Sequence, residues 1–184
     1  MTRTVAVIVG SLREGSLNRK LAKALETATG GRLRFDCVAI GDLPLYNDDL
    51  WRKGAGPAPV MRLRRQVEAA DGVLVVSPEY NRGFPGLVAN AFDWGSRPAG
   101  QSCWRHKPAA VAGATRGASG TAAGQQHLRL ALVNLLCVVM HGPELYVTWT
   151  DERFAEDGTV RAEDTRALLE RFMAAFADWI EKHG

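Results

Sequence analysis

The sequence lacks the usual signs of a metal centre, a disulfide framework or a membrane span. Its three cysteines, Cys37, Cys103 and Cys137, have no Cys-x-x-Cys spacing and no histidine at a ligand interval. No apolar run approaches the ~18 residues needed to cross a bilayer, and no charged and then apolar leader opens the chain. We therefore expect reduced thiols, no membrane partner and a cytoplasmic location.

Concentrated charge is also absent. The chain has 23 Lys and Arg against 20 Asp and Glu, a net charge of +3, which is far from the basic patches of nucleic-acid-binding proteins. The four histidines are scattered, at His106, His127, His141 and His183. They suggest no Ser-His-Asp arrangement. A length of 184 residues with 46% hydrophobic residues predicts a single domain over 1–184 and no nucleic-acid partner.

The chain is rich in alternating apolar strands and amphipathic helices. Predicted strands cover 5–9, 33–40, 72–76, 109–112 and 145–149, and predicted helices cover 17–28, 58–70, 85–94, 122–139 and a long terminal segment around 168–180. This α/β alternation implies right-handed crossovers and a doubly wound parallel sheet with helices on both faces. In such sheets ligands bind beyond the carboxyl ends of the strands.

Glycine-rich loops follow the first, third and fourth predicted strands, and the first loop has the composition of an anion site. Ser11, Ser16 and Asn18 can donate side-chain hydrogen bonds, and Arg13 adds a planar fork of donors. The next helix presents its unpaired first-turn N–H groups, so the loop predicts a bound phosphate. The glycine spacing does not fit Gly-x-Gly-x-x-Gly, and no Gly-Lys-Ser/Thr follows.

A purely structural interpretation of this loop stays open at this point. Ser16 can cap the helix, Gly10 and Gly15 can permit a tight turn, and Arg13 can be a solvated surface charge. The third-strand loop has the same ambiguity, because the Pro and Asn in its segment 78–81 are common in ordinary turns. The residue types alone do not decide between these interpretations.

Several segments together carry a family resemblance. They are 10–18 (Gly-Ser-Leu-Arg-Glu-Gly-Ser-Leu-Asn), 77–81 (Ser-Pro-Glu-Tyr-Asn), 85–86 (Pro-Gly) and 90–94 (Asn-Ala-Phe-Asp-Trp). In combination they resemble the NADPH-dependent FMN reductase family of flavodoxin-like proteins, which includes bacterial quinone, chromate and azo-dye reductases. The resemblance runs from the first strand through the fourth helix, and it implies a flavodoxin-like five-stranded sheet of order 2-1-3-4-5.

Carried over position by position, the resemblance implies an FMN site built from all three loops. The residues that would bind the cofactor are Ser11, Arg13, Ser16 and Asn18 at the phosphate, Pro78, Glu79, Tyr80 and Asn81 along the ring edge and ribityl chain, and Thr115, Arg116 and Gly117 at the ring's other polar edge. NADPH or NADH would supply hydride, and a quinone, azo compound, chromate or free flavin would accept the electrons. No catalytic acid or nucleophile is implied.

The resemblance leaves other functions open. A flavodoxin-type electron carrier would also bind FMN, although such carriers are typically acidic and this chain has Arg13 and Arg116 near the expected flavin. A regulatory flavin-binding module is a third possibility. The family usually has a lysine where this chain has Ala89, and the stretch 95–107 is unfamiliar, so the preferred acceptor is not predicted.

The segment 128–140 is apolar around most of its helical circumference. A helix lying on one side of a sheet needs only one apolar stripe, so a second face is left to be covered. We expect this segment and the helix at 87–94 to form a homodimer, or a homotetramer of two dimers. A core helix covered on both sides is the alternative.

Overall fold

Parallel strands and helices alternate along the chain. The computed structural model describes residues 2–51 and 54–184. Its strands are β1 (Arg3–Val9), β2 (Leu33–Val38), β3 (Gly72–Val76), β4 (Pro108–Thr115), β5 (Val138–Val139) and β6 (Tyr146–Thr148). Its helices are α1 (Leu17–Ala28), α2 (Ala58–Ala69), α3 (Gly86–Gly95), α4 (Ala122–Asn134) and α5 (Glu163–His183), with a short 3-10 turn at Asp48–Leu50.

The strands form one parallel sheet in the order β2-β1-β3-β4-β5, which confirms the predicted doubly wound architecture. The last position holds two short strands. β5 pairs with Pro108 and Ala109 at the beginning of β4, whereas β6 pairs with residues 113–115 at its end. The strand predicted at 145–149 is therefore the second half of an interrupted fifth strand.

The prediction of a helix over 122–139 is wrong at its C-terminal end. Leu136 adopts a left-handed backbone (φ 64°). Its N–H donates to Val133 O at 2.9 Å, and the Cys137 N–H donates to Leu132 O at 3.0 Å. This hydrogen-bond pattern ends helices, usually at a glycine. Because a leucine takes the glycine position here, the apolar run shows no stop signal, and its last residues form β5.

Both faces of the sheet are covered by helices. Alternate residues of β1 enter different core clusters: Val5 and Val7 pack on the side of α1 and α5, and Ala6 and Ile8 pack on the side of α2, α3 and α4. Every residue of β3 is buried. A central strand buried on both faces must be apolar throughout, which explains why 72–76 is a continuous apolar run.

The connection after β2 lies along α3 and is fixed by polar contacts. Asn90 accepts a hydrogen bond from the Tyr46 N–H at 2.8 Å and donates to Pro44 O at 2.9 Å. The Trp94 indole N–H donates to the same Pro44 carbonyl at 2.7 Å. Within this long loop, Leu43 is buried and the Tyr46 ring lies 4.9 Å from Trp94, whereas Leu45 is 85% exposed.

Cys37 is exposed, whereas Cys103 and Cys137 are buried, and all three thiols are free. Burial raises the pKa of both Cys103 and Cys137 to about 12, so these thiols stay protonated at neutral pH. Within the described residues, no helix is long and apolar enough to cross a membrane.

Arg64 on α2 anchors the stretch that follows α3. Its side chain is only 7% exposed and donates to Gly95 O at 3.0 Å, to Gln101 O at 2.6 Å and to Arg97 O. Glu68, one turn further along α2, pairs with the same guanidinium at 3.0 Å. A buried guanidinium is stable only when its donors are used, and these carbonyl groups use them.

Replacing Arg64 by methionine should lower the free energy of unfolding by about 2–4 kcal/mol, because one buried and two part-buried carbonyl oxygens lose a charged donor. Arg65→Met is the matched control, since Arg65 is exposed on the same helix. Its effect should stay within about 0.5 kcal/mol. Urea denaturation of the two variants measures both values, and equal losses would contradict the anchoring role of Arg64.

Candidate functional site

The loops after β1, β3 and β4 meet at the carboxyl edge of the sheet. The Gly10 N–H donates to Val76 O at 2.9 Å, and the Ser77 N–H donates to Ala112 O at 3.0 Å. A Cβ on Gly10 would lie 2.6 Å from Ser77 Oγ, and a Cβ on Gly113 would lie 2.3 Å from Ser77 O. Only glycine permits this close approach, so the sequence brings the three loops to one place.

Ser16 has the helix-capping role that its sequence position suggested. It is the N-cap of α1, and its buried hydroxyl oxygen accepts a hydrogen bond from the Arg19 N–H at 3.2 Å. This contact uses a lone pair of the oxygen and leaves the hydroxyl proton free to donate. Capping and ligand binding are therefore compatible at this residue.

The donors around the start of α1 fit a phosphate dianion. Ser11, within the first loop, is buried, and the exposed Arg13 forms no ion pair within the described residues. The first turn of α1 carries no acidic residue, so nothing on the helix offsets its positive end. Hydroxyl, guanidinium and backbone N–H donors are thus all present in the loop before α1 and in the first turn of the helix.

Asn18 has a different environment from the other predicted phosphate ligands. Its side chain is 3% exposed, with Nδ2 donating to Ala114 O at 3.0 Å and Oδ1 accepting from the Ala114 N–H at 2.9 Å. The amide is therefore bonded to β4 through both of its ends. The structure places Asn18 between the first loop and the third.

A tight turn fixes the backbone of the second loop. Tyr80 and Gly83 exchange two hydrogen bonds, each of 2.9 Å. The two residues between them, Asn81 and Arg82, have left-handed backbones with φ of 52° and 66°. Pro78 precedes this turn and accepts a hydrogen bond from the Ser77 hydroxyl at 2.9 Å. The predicted ring-edge segment is thus a preformed turn, which suits recognition through backbone groups.

The Glu79 carboxylate joins the second loop to the start of α4. Its Oε2 accepts a hydrogen bond from the Gly124 N–H at 2.9 Å, and Arg82 is 3.9 Å from its other oxygen. A Cβ on Gly124 would lie 2.9 Å from Gly83 O, so this helix can approach the turn only with glycine there. Sequence reasoning missed Gly124, although a glycine inside a helical turn is itself a signal of close contact.

The third loop presents Arg116 at the outer rim of the site. Thr115 Oγ1 accepts from the Gly117 N–H at 3.2 Å, and Thr148 Oγ1 donates to Gly117 O at 3.4 Å. The Arg116 side chain is exposed and lies 3.8 Å from the exposed carboxylate of Asp151. Such an exposed ion pair is weak, and Arg116 can leave it for an anionic ligand. Among the residues that the structure describes, no His, Cys, Asp and Glu cluster could hold a metal ion.

The family model of NADPH-dependent FMN reductase matches residues 3–151. The chain belongs to this family. The match covers β1 through β6 and therefore all three loops of the site. It confirms the family resemblance found in the first and second loops.

Several similar proteins are named for their activities. A 2-hydroxy-1,4-benzoquinone reductase from a Burkholderia species is 44% identical over 180 residues, covering 98% of this chain and 97% of that protein. A quinone reductase from Pseudomonas putida is 43% identical over 178 residues, covering 97% and 95%. The structure of FerB, a flavoenzyme NAD(P)H:(acceptor) oxidoreductase from Paracoccus denitrificans, superimposes with a TM-score of 0.95 at 50% identity and 100% coverage of both chains.

In this member of the FMN reductase family, the effect of the Glu79–Gly124 hydrogen bond on FMN affinity can be measured separately from the effect of the Glu79 charge. Glu79→Gln keeps an oxygen that accepts from the Gly124 N–H, so FMN affinity should change less than about threefold, whereas Glu79→Ala should weaken it roughly five- to fiftyfold. Fluorescence titration of each apoprotein with FMN gives the affinities. Equal losses in the two variants would show that the charge matters and the hydrogen bond does not.

Proposed function

We propose that this chain is an FMN-dependent NAD(P)H oxidoreductase that reduces quinones or similar small acceptors. Its membership of the FMN reductase family and its quinone reductase relatives support this function. The observation that carries it is the donor set at the start of α1, where the Ser16 hydroxyl and Arg13, which forms no ion pair within the described residues, precede a helix whose first turn has no acidic residue. This set suits the phosphate of FMN.

Each of the three loops would contact a different part of FMN. Ser11, Arg13 and Ser16 would bind its phosphate, the turn at 78–81 would line one edge of the ring, and 115–117 would line the other. Bound FMN supplies the redox chemistry, by taking hydride from NADPH or NADH and giving electrons to the acceptor. The protein binds and orients both substrates, which is consistent with the absence of a predicted catalytic acid or nucleophile.

A flavodoxin-type electron carrier is the second candidate, because it would use the same cofactor. The surface charge favours the enzyme. Arg13 and Arg116 are exposed at the rim of the site, where they would attract a phosphorylated dinucleotide and repel a basic redox partner. We also propose that residues 1–184 form one domain that acts in the cytoplasm, and the three free cysteines support that compartment.

Stopped-flow reduction of the purified protein separates the two candidates. The protein should be yellow, release FMN on denaturation, become reduced when NADPH is added without any other protein, and be reoxidised by a quinone. Reduction that requires a separate reductase protein would favour the carrier. A colourless protein that does not take up added FMN would refute both.

We further propose that a second copy of the chain covers α4. Leu130 and Val133 on α4 and Leu136 just after its end form an α4 patch and are 62%, 54% and 52% exposed, while Leu128 and Leu132 on the opposite side of the helix are buried in the core. Three large apolar side chains on one short segment are a typical interface feature. A homodimer formed through this patch and α3 would bury them, and pairing of two such dimers would give a homotetramer.

Charge on the α4 patch should therefore break the assembly. We expect light scattering to give a dimer or tetramer for the unmodified protein and a smaller species for Leu130→Asp combined with Val133→Asp, because desolvating two carboxylates at an interface is unfavourable. Thr27→Asp adds an exposed charge on α1, on the other side of the sheet, and should leave the assembly unchanged. A monomeric unmodified protein would contradict the proposal.

A further inference from the structure

We infer that Asn18 is a positioning residue that orders the third loop through Ala114, and that it is not a ligand of the phosphate. This inference rests on the flavin site proposed above. It concerns how the chain holds the two ends of that site. The first loop supplies the donors to the phosphate. The Asn18 amide on α1 holds the third loop, which lies on the ring side of the proposed site.

β4 extends beyond its pairing with β3. Pairing between β3 and β4 ends at Val76 and Ala112, and the Ser77 N–H donates to Ala112 O just beyond it. β4 continues to Thr115, whose carbonyl accepts from the Trp149 N–H after β6. Along a parallel strand, the backbone N–H and C=O of one residue point toward one neighbouring strand, and those of the next residue point toward the strand on the other side. The N–H and C=O of Ala114 therefore point toward the side where β3 has already ended.

The Asn18 amide takes the place of the missing strand. Its Oδ1 and Nδ2 bond the N–H and the C=O of Ala114 at 2.9 and 3.0 Å, as a neighbouring peptide group would do. Both residues are buried. Turning the amide toward a phosphate would leave both Ala114 groups without a partner, and an unpaired buried backbone group is costly.

Ala114 directly precedes the segment on the ring side of the proposed site, so the Asn18 contact fixes where that segment begins. Thr115 follows directly, and its Oγ1 accepts from the Gly117 N–H at 3.2 Å. Loss of the Asn18 bonds would therefore loosen 115–117, the segment proposed to approach the flavin ring. The phosphate donors Ser16 and Arg13 would remain, because the cap of α1 does not use the Asn18 side chain.

Riboflavin, which has the ring but no phosphate, separates the two roles. We would titrate apoprotein with FMN and with riboflavin for the unmodified chain, Asn18→Ala and Arg13→Ala. Asn18→Ala should weaken both ligands by about tenfold, so that the ratio of the two affinities stays within about twofold. Arg13→Ala should weaken FMN by about tenfold or more and leave riboflavin unchanged. The absorption band of bound riboflavin should also shift in Asn18→Ala.

Two results would overturn the inference. A loss of FMN affinity alone in Asn18→Ala would make Asn18 a phosphate ligand. A lower melting temperature of the apoprotein with both affinities and the absorption band unchanged would make it a purely structural residue. If the unmodified protein binds neither flavin, the proposed site itself fails, and this outcome is distinct from either of the others.

A measurement on the unmodified protein covers the case in which Asn18→Ala does not fold. Hydrogen exchange of the Ala114 amide, followed by NMR, should be slow in the apoprotein and remain slow with FMN and with riboflavin, because Asn18 stays bonded to it. Faster exchange with FMN but not with riboflavin would show that Asn18 leaves Ala114 for the phosphate, and would contradict the inference.

Discussion

Close backbone contact between the ends of β1, β3 and β4 is the constraint on which the rest of the site depends. Gly10 and Gly113 both face Ser77, at distances where a Cβ would lie only 2.6 and 2.3 Å from its atoms. Because no side chain fits between these strand ends, the three loops leave the sheet from adjacent points. A ligand as long as a flavin nucleotide can then contact a phosphate cradle and a ring platform at once.

Side-chain hydrogen bonds hold the elements of this edge together, and Ser16 also keeps a donor for a ligand. Ser16 caps α1 through a lone pair and keeps its proton, and Glu79 caps the first turn of α4 directly before the turn at 80–83. Asn18 joins α1 to β4. Structural and functional interpretations of such residues are often treated as alternatives. In Ser16, different atoms of one residue can serve each, so the two interpretations are compatible there.

Much of the fold follows from local patterns. The apolar run at 72–76 and the α1 stripe at 17–28 were predicted with the bounds that the structure has. The end of α4 was not, because Leu136 adopts the left-handed backbone that usually marks a glycine. At the site, the composition of the first loop predicted a phosphate cradle, whereas the contact partners of its residues were beyond prediction.

The sequence by itself determined the alternating elements, the loop chemistry and the family, because strand periodicity and motif spacing depend on neighbours in the chain. Tertiary structure decided which atoms each side chain uses. Asn18 contacts Ala114 across 96 positions, Glu79 contacts Gly124 across 45, and Arg64 contacts Gln101 across 37. Such pairings depend on the geometry of packed strands and helices, and no local pattern encodes them.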